Sequence, residues 1–119
     1  MTSNRRTSDQ IINVPENIRV LEIVSNAKGN KSVKTFEMIN TTDTPYEVYW
    51  ECVKDTSNNS IKCTTPQSFI SSGKRFFCTF EFTPKSHQTV ESLWSFSIPA
   101  YDLKAEILIV GRVFNSAKN

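Results

Sequence analysis

Three cysteines, Cys52, Cys63 and Cys78, are the side chains of this 119-residue chain best suited to metal or redox chemistry. None of them is spaced as Cys-x-x-Cys, and zinc needs four closely placed soft ligands, a set that the single His87 does not complete. Buried free thiols are the favoured interpretation, since disulfides are rare in reducing compartments. A Cys52–Cys78 disulfide is the alternative, because both residues fall on predicted inward strand faces. We therefore predict no metal and no other cofactor.

Titratable side chains give no sign of acid–base catalysis. His87 lies in the polar segment 84–88 between two predicted strands, and a catalytic base needs a nucleophile and an orienting carboxylate beside it. Asp43, Asp55 and Asp102 lie in predicted turns, where aspartate normally caps backbone amides. A paired-carboxylate site is therefore not expected, and the chain is predicted not to be an enzyme.

Length and composition indicate one domain with one core. The chain is long enough for a single two-layer core but not for two. Eight Phe, three Tyr and two Trp supply large apolar side chains, and hydrophobic residues make up 38% of the sequence. The net charge of +2 is nearly balanced, and Lys and Arg are scattered along the chain. We therefore expect no nucleic-acid partner.

The ends of the chain are polar. We expect residues 1–10 to be a flexible tail, residues 11–115 a single domain and residues 116–119 a second flexible tail. No apolar stretch approaches the roughly 20 residues that cross a bilayer, and the first residues have no apolar core that could act as a signal peptide. These features predict an intracellular protein that does not insert directly into membranes.

Alternation of apolar and polar residues with a period of two is the strongest structural pattern. The residues predicted to face inward are Phe36 and Met38; Tyr46, Val48, Trp50 and Cys52; Phe76, Cys78, Phe80 and Phe82; and Ser92, Trp94, Phe96 and Ile98. Further strands are predicted at 18–24, 61–64 and 103–114. About seven to eight strands in roughly 100 residues are typical of an all-β, immunoglobulin-like sandwich.

Three other features concern particular strands. Residues 11–14 precede Pro15 and are predicted to form a short edge strand, because proline suits an edge. Residues 107–110 are apolar at every position, which is typical of a central strand covered on both faces. Gly111, inside the same strand, predicts a bulge or a close approach of another segment.

Short motifs in the predicted strands resemble a known family. They are Phe36-x-Met38-x-Asn40, Pro45-x-x-Val48-x-Trp50 and the run from Gly73 to Phe80-x-Phe82-x-Pro84, followed by the stretches 91–98 and 107–113. Their order is similar to that in PapD-like, major-sperm-protein-type sandwiches, and among these to the ASH domains of ciliary and centrosomal proteins. The resemblance spans residues 15–114.

The resemblance implies a non-enzymatic protein–protein interaction module that scaffolds or anchors components of a ciliary or flagellar axoneme or of a centrosome. Expected partners are axonemal, microtubule-associated or centrosomal proteins, or neighbouring domains of a longer chain. The expected location is the cytoplasm and cytoskeleton, the cilium or the centrosome. A VAP-like branch of the superfamily captures short acidic peptides at membrane contacts through a basic groove, and this is the alternative function.

Five side chains are the candidate partner-binding residues: Lys62, Lys74, Arg75, Phe77 and Leu93. The three cations are predicted to lie on a basic edge with Lys54 and Lys85, which would attract an acidic chain. Phe77 and Leu93 point away from the predicted core, where a partner could cover them. The competing interpretation is that the charges only protect exposed strands from edge-to-edge aggregation.

Overall fold

The computed structural model describes residues 19–114, which form eight β-strands and one short 3-10 helix. The strands are β1 (Val20–Ser25), β2 (Ser32–Ile39), β3 (Tyr46–Asp55), β4 (Ile61–Cys63), β5 (Gln67–Ile70), β6 (Arg75–Phe82), β7 (Val90–Ile98) and β8 (Leu103–Val113), and the helix Pro99–Tyr101 links β7 to β8. The strand predicted at residues 11–14 and both predicted tails lie outside the described residues.

The strands form two sheets that pack face to face. The larger has the order β1-β8-β7-β3-β5, and the smaller has the order β2-β6-β4. β1 runs parallel to β8, whereas the other neighbouring pairs are antiparallel. This arrangement confirms the predicted all-β, immunoglobulin-like sandwich.

Alternating residues of the facing strands fill the space between the sheets. β6 contributes Phe76, Cys78, Phe80 and Phe82, all buried as predicted. The Phe80 ring lies 5.1 Å from the Trp50 ring and 5.4 Å from the Trp94 ring, both edge to face, so it contacts two strands of the opposite sheet. Each such aromatic pair adds about 0.5–1.5 kcal/mol to the gain from burial. The aromatic contacts therefore fix how the sheets lie against each other.

The alternation predicted for β3 fails at Cys52. The pairing of β3 with β7 shifts between Cys52 and Lys54, which marks a bulge or irregularity. β5 pairs with β3 only from Tyr46 to Tyr49, so Cys52 lies beyond that paired stretch and is exposed. The inward position predicted for Cys52 is therefore wrong.

The proposed alternative of a disulfide is wrong as well, because Cys52, Cys63 and Cys78 are all free thiols. Cys78 is buried, as predicted for a thiol that packs as a small apolar group, and Cys63 is half-buried. The indole N–H of Trp50 donates a hydrogen bond to the Cys78 sulfur over 3.3 Å. The burial of Cys78 therefore supports the core rather than a redox site.

The chain crosses from one sheet to the other immediately after β4. The Thr64 N–H still donates to the Thr79 carbonyl of β6, whereas the Pro66 carbonyl already accepts from the Trp50 N–H of β3. The sequence predicts the end of the strand at 64–66, but it predicts only an apolar patch at Phe69 and Ile70. Those residues belong to β5, which was missed because four residues are too few to show alternation clearly.

The last strand lies inside the larger sheet, between β1 and β7. Its Ile107 and Ile109 are buried, but Leu108 and Val110 on the other face are only half-buried. The predicted central position is confirmed, whereas the predicted cover on both faces is wrong. A Cβ atom at Gly111 would lie 2.7 Å from the ring of Phe82, so this glycine serves a close approach between the sheets.

Asn40, directly after β2, joins three segments through its fully buried amide. Its Nδ2 donates to the carbonyls of Thr44 (3.0 Å) and Ile70 (3.1 Å). Its Oδ1 accepts from the N–H (2.9 Å) and the hydroxyl (2.7 Å) of Thr42. The side chain thus uses both donors and both acceptor positions, and it ties the end of β2 to β5 and to the turn before β3.

We expect Asn40→Ala to lower the free energy of unfolding by about 2–4 kcal/mol, because it leaves buried polar partners unsatisfied. Urea denaturation followed by tryptophan fluorescence measures this change. Asn30→Ala is the matched control, since the Asn30 side chain is exposed and its amide donates to the Asn26 side chain at the surface. This variant should change stability by less than about 0.5 kcal/mol. Equal losses for the two variants would contradict the role of Asn40.

Candidate functional site

The outer face of the smaller sheet carries three of the five predicted binding residues. In β6, Phe76 and its alternate neighbours face the core, so Arg75 and Phe77 face outward and are exposed. Lys62 of β4 lies opposite Glu81, further along the same face. We name this surface, formed by β2, β6 and β4, the outer face. Phe77 and Val33 are its exposed apolar residues, with 56% and 53% of their surface accessible.

The five residues do not form one site. Arg75 and Lys62 lie at opposite ends of the outer face, about 20 Å apart along β6 at ~3.3 Å per residue. Lys74 is exposed in the turn that leads into β6. Leu93 lies on β7 of the other sheet, beside Leu108 and Lys54, and is half-buried.

Exposed ion pairs cross the outer face. Arg75 Nη1 lies 3.6 Å from Glu37 Oε2, and Lys31 Nζ lies 3.5 Å from Glu81 Oε2. Such exposed pairs contribute about 0–1 kcal/mol each, so both arginine and lysine heads remain available to a partner. These charges therefore add little to the stability of the domain, and they are better suited to contact a partner.

The predicted basic edge is divided in the folded protein. Lys62 and Lys85 line a cleft of about 540 Å³ together with Lys31, Glu81, Asn59, Ser60 and Thr83. We name it the lysine cleft. Lys54 lies on β3, in the other sheet. Arg75 lies at the far end of β6, and Lys74 lies in the turn before it. Lys31 also lines the cleft, and no sequence pattern predicts this, because only the folded chain brings Lys31 next to Glu81.

One wall of the lysine cleft is the turn between β3 and β4. The Asp55 carboxylate accepts hydrogen bonds from the backbone N–H groups of Ser57 (2.9 Å) and Asn59 (3.0 Å). Asn58 and Asn59 have φ values of 57° and 62°, in the left-handed region that asparagine tolerates better than most residues. Lys85 Nζ donates to the Asn58 carbonyl over 2.6 Å. Asp55 caps the turn, as its predicted position implies.

Burial acts on the pKa of several groups in the domain. Partial burial tends to raise the pKa of Asp55, but hydrogen bonds from Ser57 and Asn59 and the nearby charge of Lys85 outweigh it, so this pKa is lowered. Burial raises the pKa of the Cys78 thiol to about 12, although the hydrogen bond from Trp50 opposes the shift. Burial also raises the pKa of Cys63 and Cys52.

Residues 19–114 contain neither a metal-binding cluster nor a membrane-spanning helix. Across residues 19–114, no group of three or more His, Cys, Asp or Glu side chains is placed to hold a metal ion. In the same range, no helix combines the length and the apolar character needed to span a membrane.

Comparison by sequence finds relatives with long chains, while no protein-family model matches. The human hydrocephalus-inducing protein homolog is 32% identical over 99 residues, which cover 81% of this chain and 2% of that protein. The mouse hydrocephalus-inducing protein is 31% identical over 99 residues with the same coverage. The chain thus spans about 2% of the length of the curated relatives that it matches.

Comparison by structure finds sandwiches of the same architecture. The ASH/PapD-like domain 7 of human CEP192 superposes with a TM-score of 0.77 at 10% identity, covering 98% of this chain and 94% of that one. SSP-19, an MSP-domain-like protein of Caenorhabditis elegans, gives a TM-score of 0.55 at 9% identity, covering 80% and 95% of the two chains. These likenesses define the class as a PapD-like, immunoglobulin-like β-sandwich.

By sequence, the chain is similar to a short part of the hydrocephalus-inducing protein, or hydin. By fold, it is similar to an ASH/PapD-like domain, and the resemblance seen in the sequence motifs is confirmed.

The burial of the three thiols predicts the order in which they react. Under native conditions at pH 8 we expect iodoacetamide to modify Cys52 first and Cys63 more slowly, because thiolate fraction and access control the rate. Cys78 should react only when the domain unfolds. Mass spectrometry of tryptic peptides over time measures the order, and Cys52→Ser should remove the fast phase. Modification of Cys78 at the rate of Cys52 would contradict the packing described.

The lowered pKa of Asp55 predicts a loss of stability in acid. A carboxyl group whose pKa is lower in the folded state stabilises the fold above its unfolded value, near 3.9, and this contribution disappears as the pH falls through the folded value. At pH 7, Asp55→Asn should lower the free energy of unfolding by at most about 1 kcal/mol, because solvent screens the charge of the exposed carboxylate. The difference should shrink toward zero near pH 2.

Urea denaturation at several pH values measures this effect. Asp43→Asn is the matched control, since Asp43 is also an aspartate that is exposed in a turn. A difference between the wild type and Asp55→Asn that persists unchanged in acid would show that the charge of Asp55 does not stabilise the turn.

Proposed function

We propose that this domain is a non-catalytic protein–protein interaction module that scaffolds or anchors components of a ciliary or flagellar axoneme or of a centrosome. The observation that carries the proposal is the sequence relationship to hydin, which covers 81% of the chain. ASH domains, which the motifs resemble, occur in ciliary and centrosomal proteins, and the fold is shared with a domain of CEP192.

The outer face supports binding rather than catalysis. It carries two exposed apolar side chains, Phe77 and Val33, which lie on either side of the hydrogen-bonded Thr35–Thr79 pair. The Arg75–Glu37 and Lys31–Glu81 ion pairs lie beside them. We propose that a partner covers Phe77 and that these charges orient it.

Proximity labelling in ciliated epithelial cells tests this proposal. The domain is fused to a biotin ligase and compared with Phe77→Glu and with Phe69→Glu, an equally drastic change at an exposed position on β5 of the other sheet. We expect the wild type and Phe69→Glu to enrich axonemal or centrosomal proteins. Phe77→Glu should reduce that enrichment about tenfold, which corresponds to ~1.4 kcal/mol of binding free energy.

Two results would contradict the proposal. One is enrichment of axonemal or centrosomal proteins no greater than that by an unrelated immunoglobulin-like domain, which would contradict the proposed cellular role. The other is equal enrichment by Phe77→Glu and Phe69→Glu. This result would agree with the cellular role but would show that the outer face is not the binding surface. Circular dichroism of the purified variants shows whether each is folded.

The lysine cleft favours a second candidate, the capture of short acidic peptides. Three lysines face one glutamate in this cleft, and such a surface attracts carboxylates with an affinity that falls steeply with salt. In the same labelling experiment, Lys62→Glu combined with Lys85→Glu separates the two candidates. If this variant alone loses its neighbours, and those neighbours are membrane-contact proteins with acidic motifs, the second candidate replaces the first.

A further inference from the structure

We propose that β6 carries an open strand-pairing site beside Arg75 and Phe77, which accepts an extended segment of a partner protein bearing carboxylates. The proposal deepens the proposed function, because it rests on the domain having a protein partner and names the chemistry of that partner. It concerns the edge of β6 rather than the side chains of the outer face alone.

The direction of the backbone groups in β6 follows from its hydrogen bonds. The Asn40 N–H, at the end of β2, donates to the Lys74 carbonyl over 2.9 Å, whereas the Thr64 N–H, at the end of β4, donates to the Thr79 carbonyl over 3.0 Å. Because the N–H and C=O of one strand residue point to the same side and the side alternates, Lys74 and its alternate neighbours face β2. Arg75, Phe77 and Thr79 face the side of β4.

β4 fills only half of that side. Its pairing with β6 runs from Ile61 opposite Phe82 to Cys63 opposite Phe80. The Thr79 N–H then bonds to the Thr65 hydroxyl over 3.1 Å, and at Pro66 the chain has joined the other sheet. Residues 19–114 therefore provide no strand beside Arg75 and Phe77, whose two N–H and two C=O groups face the empty continuation of β4.

The side chains around these backbone groups indicate what the added strand carries. Phe77 is exposed over 56% of its surface, and the Arg75 side chain over 69%. A residue directly opposite on an added strand lies with its Cβ about 4.5–5.5 Å away, so an apolar side chain there covers Phe77. Two exposed cations, Lys74 and Arg75, lie beside these groups. Arg75 forms an exposed ion pair with Glu37, and a carboxylate of the partner can approach both cations.

The same charges argue against a second copy of this chain as the occupant. Two copies paired edge to edge at Arg75 and Phe77 would bring Lys74 and Arg75 of one molecule close to those of the other. Like charges in neighbouring strands are destabilising, and cations at an open edge are a common protection against such self-pairing. The occupant is therefore a different, acidic segment.

A synthetic peptide tests the pairing directly. The probe is the blocked heptapeptide Thr-Glu-Thr-Val-Thr-Glu-Thr, whose Glu and Val side chains share one face in either chain direction. In antiparallel pairing, the N–H groups of Glu and Val point toward β6 and those of Thr point away. N-methylation of the Glu and Val amides should therefore abolish binding, whereas N-methylation of three Thr amides should leave it intact.

Nuclear magnetic resonance of the whole chain gives the readout. At saturating peptide we expect the exchange of the Arg75 and Phe77 amide protons with solvent to slow by about tenfold or more. The amides of Val33 and Thr35 on β2 should not change. Lys74→Glu combined with Arg75→Glu should weaken peptide binding at least about tenfold, and its unchanged dispersion of strand amide signals shows that it is folded.

Three outcomes would overturn the proposal: no binding of the unmethylated peptide, equal binding of the two methylated peptides, or protection of β2 instead of β6. Equal binding of the methylated peptides would mean that the charges bind without strand pairing. Because the assay uses purified protein, its failure leaves the cellular role untouched, whereas failure of the labelling experiment leaves the peptide result standing.

Discussion

The contact of Phe80 with the opposite sheet is the interaction on which the rest of the domain depends. Its ring meets Trp50 and Trp94 edge to face and stacks on Phe36 at a centroid distance of 6.4 Å. The smaller sheet also buries Phe36, Met38, Phe76 and Phe82, and the Phe80 ring joins this cluster to tryptophans on two strands of the larger sheet, β3 and β7. Once these rings interlock, the outward direction of the alternate residues of β6 is determined as well.

The chain crosses between the sheets at residues 64–66. This crossing leaves the first half of β6, in the smaller sheet, without a neighbouring strand on the side of β4. β5 extends the larger sheet beside β3, but the same residues are then missing from the smaller sheet beside the first half of β6. Pro66 suits this position because it has no N–H to pair. One local event thus completes one sheet and exposes the backbone of the other, so the open edge is a consequence of the topology.

Most of the fold could be predicted from the sequence, because every second residue of a half-buried strand faces the core and is apolar. The inward residues of β2 and β6 were identified correctly for this reason. The pattern failed where pairing rather than polarity decides burial, as at Cys52 beside the irregularity in β3 and in the four-residue β5. The candidate site was harder, because the lysine cleft joins Lys31, Lys62 and Lys85 from distant segments. No local pattern records such a cluster.

Exposed residues can change in this domain without cost to the fold, and this separates stability from partner choice. The sandwich of CEP192 domain 7 superposes over 98% of the chain at only 10% identity, so the same architecture forms from a very different set of side chains. Replacing Phe80, which is fully buried, would cost several kcal/mol by removing ring contacts and leaving a cavity. Replacing Phe77, three residues earlier on the outward side, would cost little. Differences in binding between such domains are therefore expected at positions like Phe77 and Arg75, because substitutions at these exposed positions do not disturb the packing of the core.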